Sequence, residues 1–113
     1  MAVPLMLSQA KAANLQDARW VTRTDAPVPY VRMVMDLSTP VNAAASISKD
    51  GKTTTVTLKN TKLKTAKNTI YMNSSIASVA QLSEVGKDVA VTIKTPSALD
   101  TNDVKVFSLK KDT

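Results

Sequence analysis

The chain has 113 residues, enough for one domain of ordinary size and too few for two. With 43% hydrophobic residues and a mean hydropathy of −0.08 it can bury a core, which excludes wholesale disorder. No His, no Cys and a single Glu (Glu84) exclude zinc-hydrolase, Cys-protease and Ser-His-Asp chemistry and leave little for a carboxylate pair, while a net charge of +6 points to an anionic partner.

The N-terminal Met1–Leu7 is apolar, and Ala10-Lys11-Ala12 places small residues around one position, as at a signal-peptidase site. Residues 1–13 therefore read as the tail of a signal peptide or a flexible N-terminal segment, and the domain is expected over 14–113. An ordinary first strand or short helix from Val3 is the alternative. The leader reading implies export to the cell envelope. No run reaches the 18 or more apolar residues of a membrane span, so none is expected.

Thr (14), Val (13) and Ile (4) make up 31 residues, a β-branched content that favours strands. Ala18–Thr24 reads as a first strand, ended by the prolines of Asp25–Pro29. Tyr30–Leu37 alternates, with Val31, Met33, Met35 and Leu37 on a core face and Tyr30, Arg32, Val34 and Asp36 on the other. Val41–Lys49 follows, then a two-residue hairpin turn at Asp50-Gly51. Thr53–Lys59 places Thr54, Val56 and Leu58 inward and a row of threonines outward. Past a polar stretch from Asn60 to Asn68, Thr69–Asn73 and Ile76–Val85 are candidate strands; the second also fits helical spacing, but β-branched content and the Gly86-Lys87 turn favour strand. Asp88–Thr95 is a strand with Val89, Val91 and Ile93 in phase, Pro96–Asn102 turns, and Val104–Leu109 is a final strand. Some eight strands with turns every 8–12 residues predict an all-β sandwich of two roughly four-stranded sheets.

An internal echo accompanies this pattern. VRMVMDLSTPV from Val31 aligns with VAVTIKTPSAL from Val89 at a shift of 58 residues, and the same shift carries Ala18–Thr24 onto Ile76–Leu82. The halves are expected to be related by a weak two-fold repeat.

The strand ARWVTRT, the proline loop, YVRMVMDLSTPV, the KDGK hairpin, TVTLKNTKL and the echo together resemble the AMIN domain over about Leu15–Leu109. The resemblance implies a sandwich of two similar four-stranded sheets, an exported location and peptidoglycan binding, as the targeting module of a larger envelope protein such as a cell-wall amidase or a pilus secretin, with catalysis left to another domain. The best-matched stretch is Val31–Leu37. The second half has Ala90 and Lys94 where Arg32 and Asp36 would recur, which puts a symmetric two-site binder in doubt.

Two groups of candidate residues emerge. Tyr30, Arg32 and Asp36 share an outward row, in which Tyr could stack on a pyranose, Arg pair with a carboxylate and Asp accept from hydroxyls; a solvated cross-strand ion pair is the competing reading. Trp20 and its neighbour Arg23 could add an aromatic anchor and a cation, although Trp20 serves equally as core. Lys49, Lys52, Lys59, Lys62, Lys64 and Lys67 face only Asp50 in acidic charge over that segment, and could steer an anionic wall polymer or simply guard an edge strand. With only Gly51 and Gly86, a phosphate-binding glycine loop is excluded; isolated Asp residues make no calcium loop, and no cofactor or metal is expected. Dispersed aromatics and few Arg do not fit nucleic-acid readout. The reading is a non-catalytic peptidoglycan-binding module, with a structural or protein-docking sandwich as the alternative.

Overall fold

In a computed structural model, which describes residues 12–25 and 27–106, the alternating segments form eight strands. They are β1 (Ala13–Arg23), β2 (Tyr30–Leu37), β3 (Ala43–Ile47), β4 (Thr53–Leu58), β5 (Thr61–Leu63), β6 (Thr69–Tyr71), β7 (Val79–Val85) and β8 (Asp88–Lys94), followed by a 3-10 turn at Thr101–Asp103. One sheet has the order β2-β1-β5 and the other β3-β4-β8-β7-β6. They pack face to face as an all-β sandwich. The even four-and-four division expected from sequence becomes three and five.

The main core joins the sheets. Leu15 and Ala18 of β1 meet Val56 and Leu58 of β4, Leu82 of β7, and Val89 and Val91 of β8, with Met33, Met35 and Leu37 of β2 packed alongside. These are the in-phase residues of each strand, so the alternation read from sequence sets the buried face. A second cluster, Met72, Ala77 and Ala80, receives Trp20, Val31 and Met33 from the other sheet.

Leu15 and Ala18 are three residues apart, a spacing that an unbroken strand would send to opposite faces. The register of β1 against β2 shifts between Leu15 and Asp17, a β-bulge that absorbs one residue and returns both side chains to the core. Owing to this bulge β1 starts five residues before the expected strand. Ala13, placed by sequence in the N-terminal segment, is buried and paired with Thr61 of β5. Residues 1–11, the rest of that segment, lie outside the described residues.

Other departures are local. The hairpin between β3 and β4 is wider than two residues: Gly51 N–H donates to Ser48 O at 2.9 Å, Ser48 N–H to Thr53 O at 2.9 Å, and Lys49–Lys52 form the loop with Gly51 at φ +76°. Ile76–Val85 is a strand from Val79 onward and not a helix. The polar stretch after Asn60 contains β5, which runs parallel to β1. Val104–Val106, the described part of the expected last strand, is irregular, and Phe107–Leu109 lie outside the described residues.

The 58-residue echo corresponds to one antiparallel pair in each sheet, β1 with β2 and β7 with β8. The registers differ. Ala18 faces Met35, and the shift would set Ile76 opposite Ile93, whereas Ile93 faces Ala80, four residues on.

Candidate functional site

The antiparallel register of β1 and β2 lays out the candidate residues. Opposite pairs on the outer face are Arg23 with Tyr30, Val21 with Arg32, Arg19 with Val34, and Asp17 with Asp36. Trp20 stands opposite Met33 on the inner face and packs on the Met72–Ala77–Ala80 cluster. It therefore lies outside the outer row, half-buried between the sheets. Its remaining exposed part contributes to the wall of a shallow hollow of about 90 Å³, together with Arg19, Val21, Arg32 and Val34.

The outer face is thus a two-strand array about four residues long, with guanidiniums at Arg19, Arg23 and Arg32, a phenol at Tyr30, and two valines between them. Arg19, which sequence reasoning left out, belongs here because it neighbours Val34 across the ladder. Its guanidinium donates to Asp36 Oδ1 at 3.1 Å. Arg23 donates to Asp25 Oδ2 at 3.0 Å. That bond, the largest influence on both groups, holds the Asp25 carboxyl below its ordinary 3.8 and raises Arg23. These ion pairs are exposed, so water weakens them and an incoming carboxylate can exchange for the aspartate. Planar Arg forks over a flat sheet suit bidentate recognition of carboxylates.

The six lysines do not form one patch. Lys49 and Lys52 lie in the β3–β4 hairpin, whereas Lys59 follows the far end of β4, seven residues on and roughly 23 Å away at a strand's rise of about 3.3 Å per residue. Lys62 is the central residue of the short edge strand β5, and Lys64 follows its end. Lys67 is committed: its ammonium lies 2.7 Å from Asp17 and donates to Ala18 O at 3.0 Å. The hydrogen bond from Lys67 is the main reason the Asp17 carboxyl lies below its ordinary value. Lys59 is more loosely engaged, 3.6 Å from Asp88.

A larger depression opens at the end of the sandwich. It has a volume of about 620 Å³ and is lined by Ala12–Asn14, Ser38–Asn42, Lys59 and Asn60. No sequence pattern marked it, because its residues come from three separate segments.

No group of three or more His, Cys, Asp or Glu able to hold a metal occurs among the described residues. No helix among them is long and apolar enough to cross a membrane. No family model matches the chain, and neither a curated protein nor a solved structure matches it.

Proposed function

We propose that this domain is a non-catalytic module that binds peptidoglycan and targets a larger exported envelope protein, such as an amidase, to the cell wall. The observation that carries the reading is the outer face of β1 and β2, where three guanidiniums and Tyr30 share one flat surface. Carboxylates of stem peptides or of lactyl groups would exchange for Asp25 and Asp36 on the Arg forks, and Tyr30, 39% exposed, would lie against a sugar ring. Such recognition is shallow, and its strength comes from repetition along the polymer. The lysines at the two ends of β4 would add long-range attraction that salt screens.

Co-sedimentation with purified sacculi, with and without attached teichoic acid and across a salt series, tests this. Retention on bare sacculi that is lost in the Tyr30→Ala, Arg32→Ala double variant is the expected result. No retention at low salt would overturn it.

A second reading, protein docking, has one observation in its favour. Among the described residues β3 is an edge strand, and its Ala43–Ser46 are exposed and carry no charge. An edge left without Lys or Pro is open to strand addition by another chain. The lysine guard read from sequence protects β5 instead.

A further inference from the structure

Among the described residues the two sheets have four edge strands, and three of them are protected. β2 carries Arg32 and Asp36 and is bracketed by Pro29 and Pro40, β5 carries Lys62 with Lys64 beyond it, and β6 is only three residues long. β3 has five residues and no such device: from Val41 to Ser48 there is neither a charged residue nor a proline.

Hydrogen-bond phase defines what this edge offers. Ser48 N–H donates to Thr53 O and Lys59 N–H to Asn42 O, both at 2.9 Å, so the even-numbered residues of the segment turn their backbone groups toward β4. Ala43, Ala45 and Ile47 turn theirs outward, where these N–H and C=O groups meet no partner among the described residues. Side-chain exposure adds to this. Ala43 and Ala45 stand opposite the buried Leu58 and Val56, on the core-facing side of the sheet, yet both are exposed: the cover that buries β4 ends before β3.

The strand is its own complement. When two copies lie antiparallel about a two-fold axis at Ala45, Ala45 pairs with Ala45, Ala43 with Ile47 and Ala44 with Ser46. Every outward N–H and C=O then has a partner, the apolar Ala43, Ala45 and Ile47 fall on one face, and Ala44 and Ser46 fall on the other. Lys49 lies opposite Val41, so no like charges meet in the ladder. We infer that the β3 edge is a self-association surface whose occupant is the β3 strand of a second copy, joining the two five-stranded sheets into one. This rests on the strand-addition reading of the same edge and shares no residue with the β1–β2 face. A contact one strand wide is at the small end of interface sizes, so the dimer is weak, with a dissociation constant on the order of 100 µM. Two chains of +6 repel each other, so salt strengthens the dimer, the reverse of its expected effect on wall binding.

Sedimentation of the full chain from about 5 µM to about 1 mM, with amide exchange followed at both limits, tests this. The expected result is a monomer that becomes a dimer, several-fold more readily at high salt. Ala43, Ala45 and Ile47 amides gain protection, and those of Ala44 and Ser46, already bonded to β4, gain far less. Ala45→Lys sets two ammonium groups at the axis, and Ala45→Pro removes the central N–H without touching the bonds to β4; each weakens the dimer about tenfold or more. Ala45→Lys, at an exposed site, leaves the melting temperature of the monomer unaltered. A chain that stays monomeric to about 1 mM, a dimer indifferent to Ala45→Lys, or one that salt weakens would each overturn the inference. A capped peptide of residues 41–49 separates it from the docking reading. If the peptide protects the same three amides in a chain that stays monomeric, strand addition stands without the second copy; if neither peptide nor concentration protects them, both fall.

Discussion

Thr54 buries a hydroxyl that finds no partner among the described residues, between Ile47 and Ile93 on the core face of β4. Leaving such a group dry costs on the order of 1 kcal/mol, and valine has the same shape without it. Thr54→Val is therefore expected to raise the unfolding free energy by about 1 kcal/mol, read as a shift in urea midpoint at constant slope. A midpoint that stays put or falls would mean that the hydroxyl is hydrated. The two glycines offer a matched pair at the same scale. Both have left-handed φ, +76° at Gly51 and +61° at Gly86, but a Cβ on Gly51 would stand 2.8 Å from the Leu99 carbonyl oxygen while one on Gly86 meets nothing within 4 Å. Gly86→Ala should cost about 1 kcal/mol, the backbone term alone. Gly51→Ala should cost about 2 kcal/mol or more, because the strap that donates Leu99 N–H to Gly51 O at 2.8 Å must move as well. Equal costs would show that the strap gives way freely.

At the scale of the element, what could be read from sequence was what alternation encodes. β4 and β8 bury the faces that their alternation assigns, and β2, half-buried along both faces, packs its in-phase Met33, Met35 and Leu37 on the core. β1 was cut short because its pattern breaks at Gln16, where the bulge inserts a residue; periodicity registers that break as an end. β5 was missed for a different reason: Thr61-Lys62-Leu63 is too short to show a period, and it is a strand only because β1 passes beside it. The outward row on β2 was legible, whereas its partner row of Arg19 and Val21 depends on the β1–β2 register, which no local pattern fixes. Deleting Gln16 tests the bulge. Removing that residue sets Leu15 and Ala18 two positions apart, the spacing at which a regular strand keeps both on the core face, so the deletion should stay within about 1 kcal/mol of the natural chain. Gln16→Ala keeps the residue count on an exposed site and should stay within about 0.5 kcal/mol of the natural chain. A loss of about 2–5 kcal/mol in the deletion, as expected if β1 were regular and the deletion turned Leu15 off its face, would remove the bulge from the account.

Across the whole molecule, the charge acts through where the fold puts it. The +6 total reads as a diffuse cationic surface, but Lys67 is tied to Asp17, Lys59 is shared with Asp88, and the hairpin lysines are a strand's length away. Long-range attraction to a polyanion is thus split between two ends of the sandwich, a division that sequence clustering could not reveal because β4 itself separates the ends. The same pairings set the response to acid. Asp17 is held below its ordinary 3.8 chiefly by the Lys67 hydrogen bond, Asp25 by the Arg23 hydrogen bond, and Asp50 by the Ser48 hydroxyl at 2.6 Å. A carboxyl whose folded value is depressed binds its proton more readily when the chain unfolds, so its stabilising contribution is complete above 3.8 and is lost as pH falls through the lower folded value. Unfolding midpoints in urea should therefore be flat from about pH 7 to pH 5 with respect to these groups and decline below about pH 4. The Asp17→Asn variant should show a shallower acid decline, because its amide cannot take up the proton that breaks the Lys67 pair. An acid limb as steep as that of the natural chain would place the sensitivity outside this ion pair.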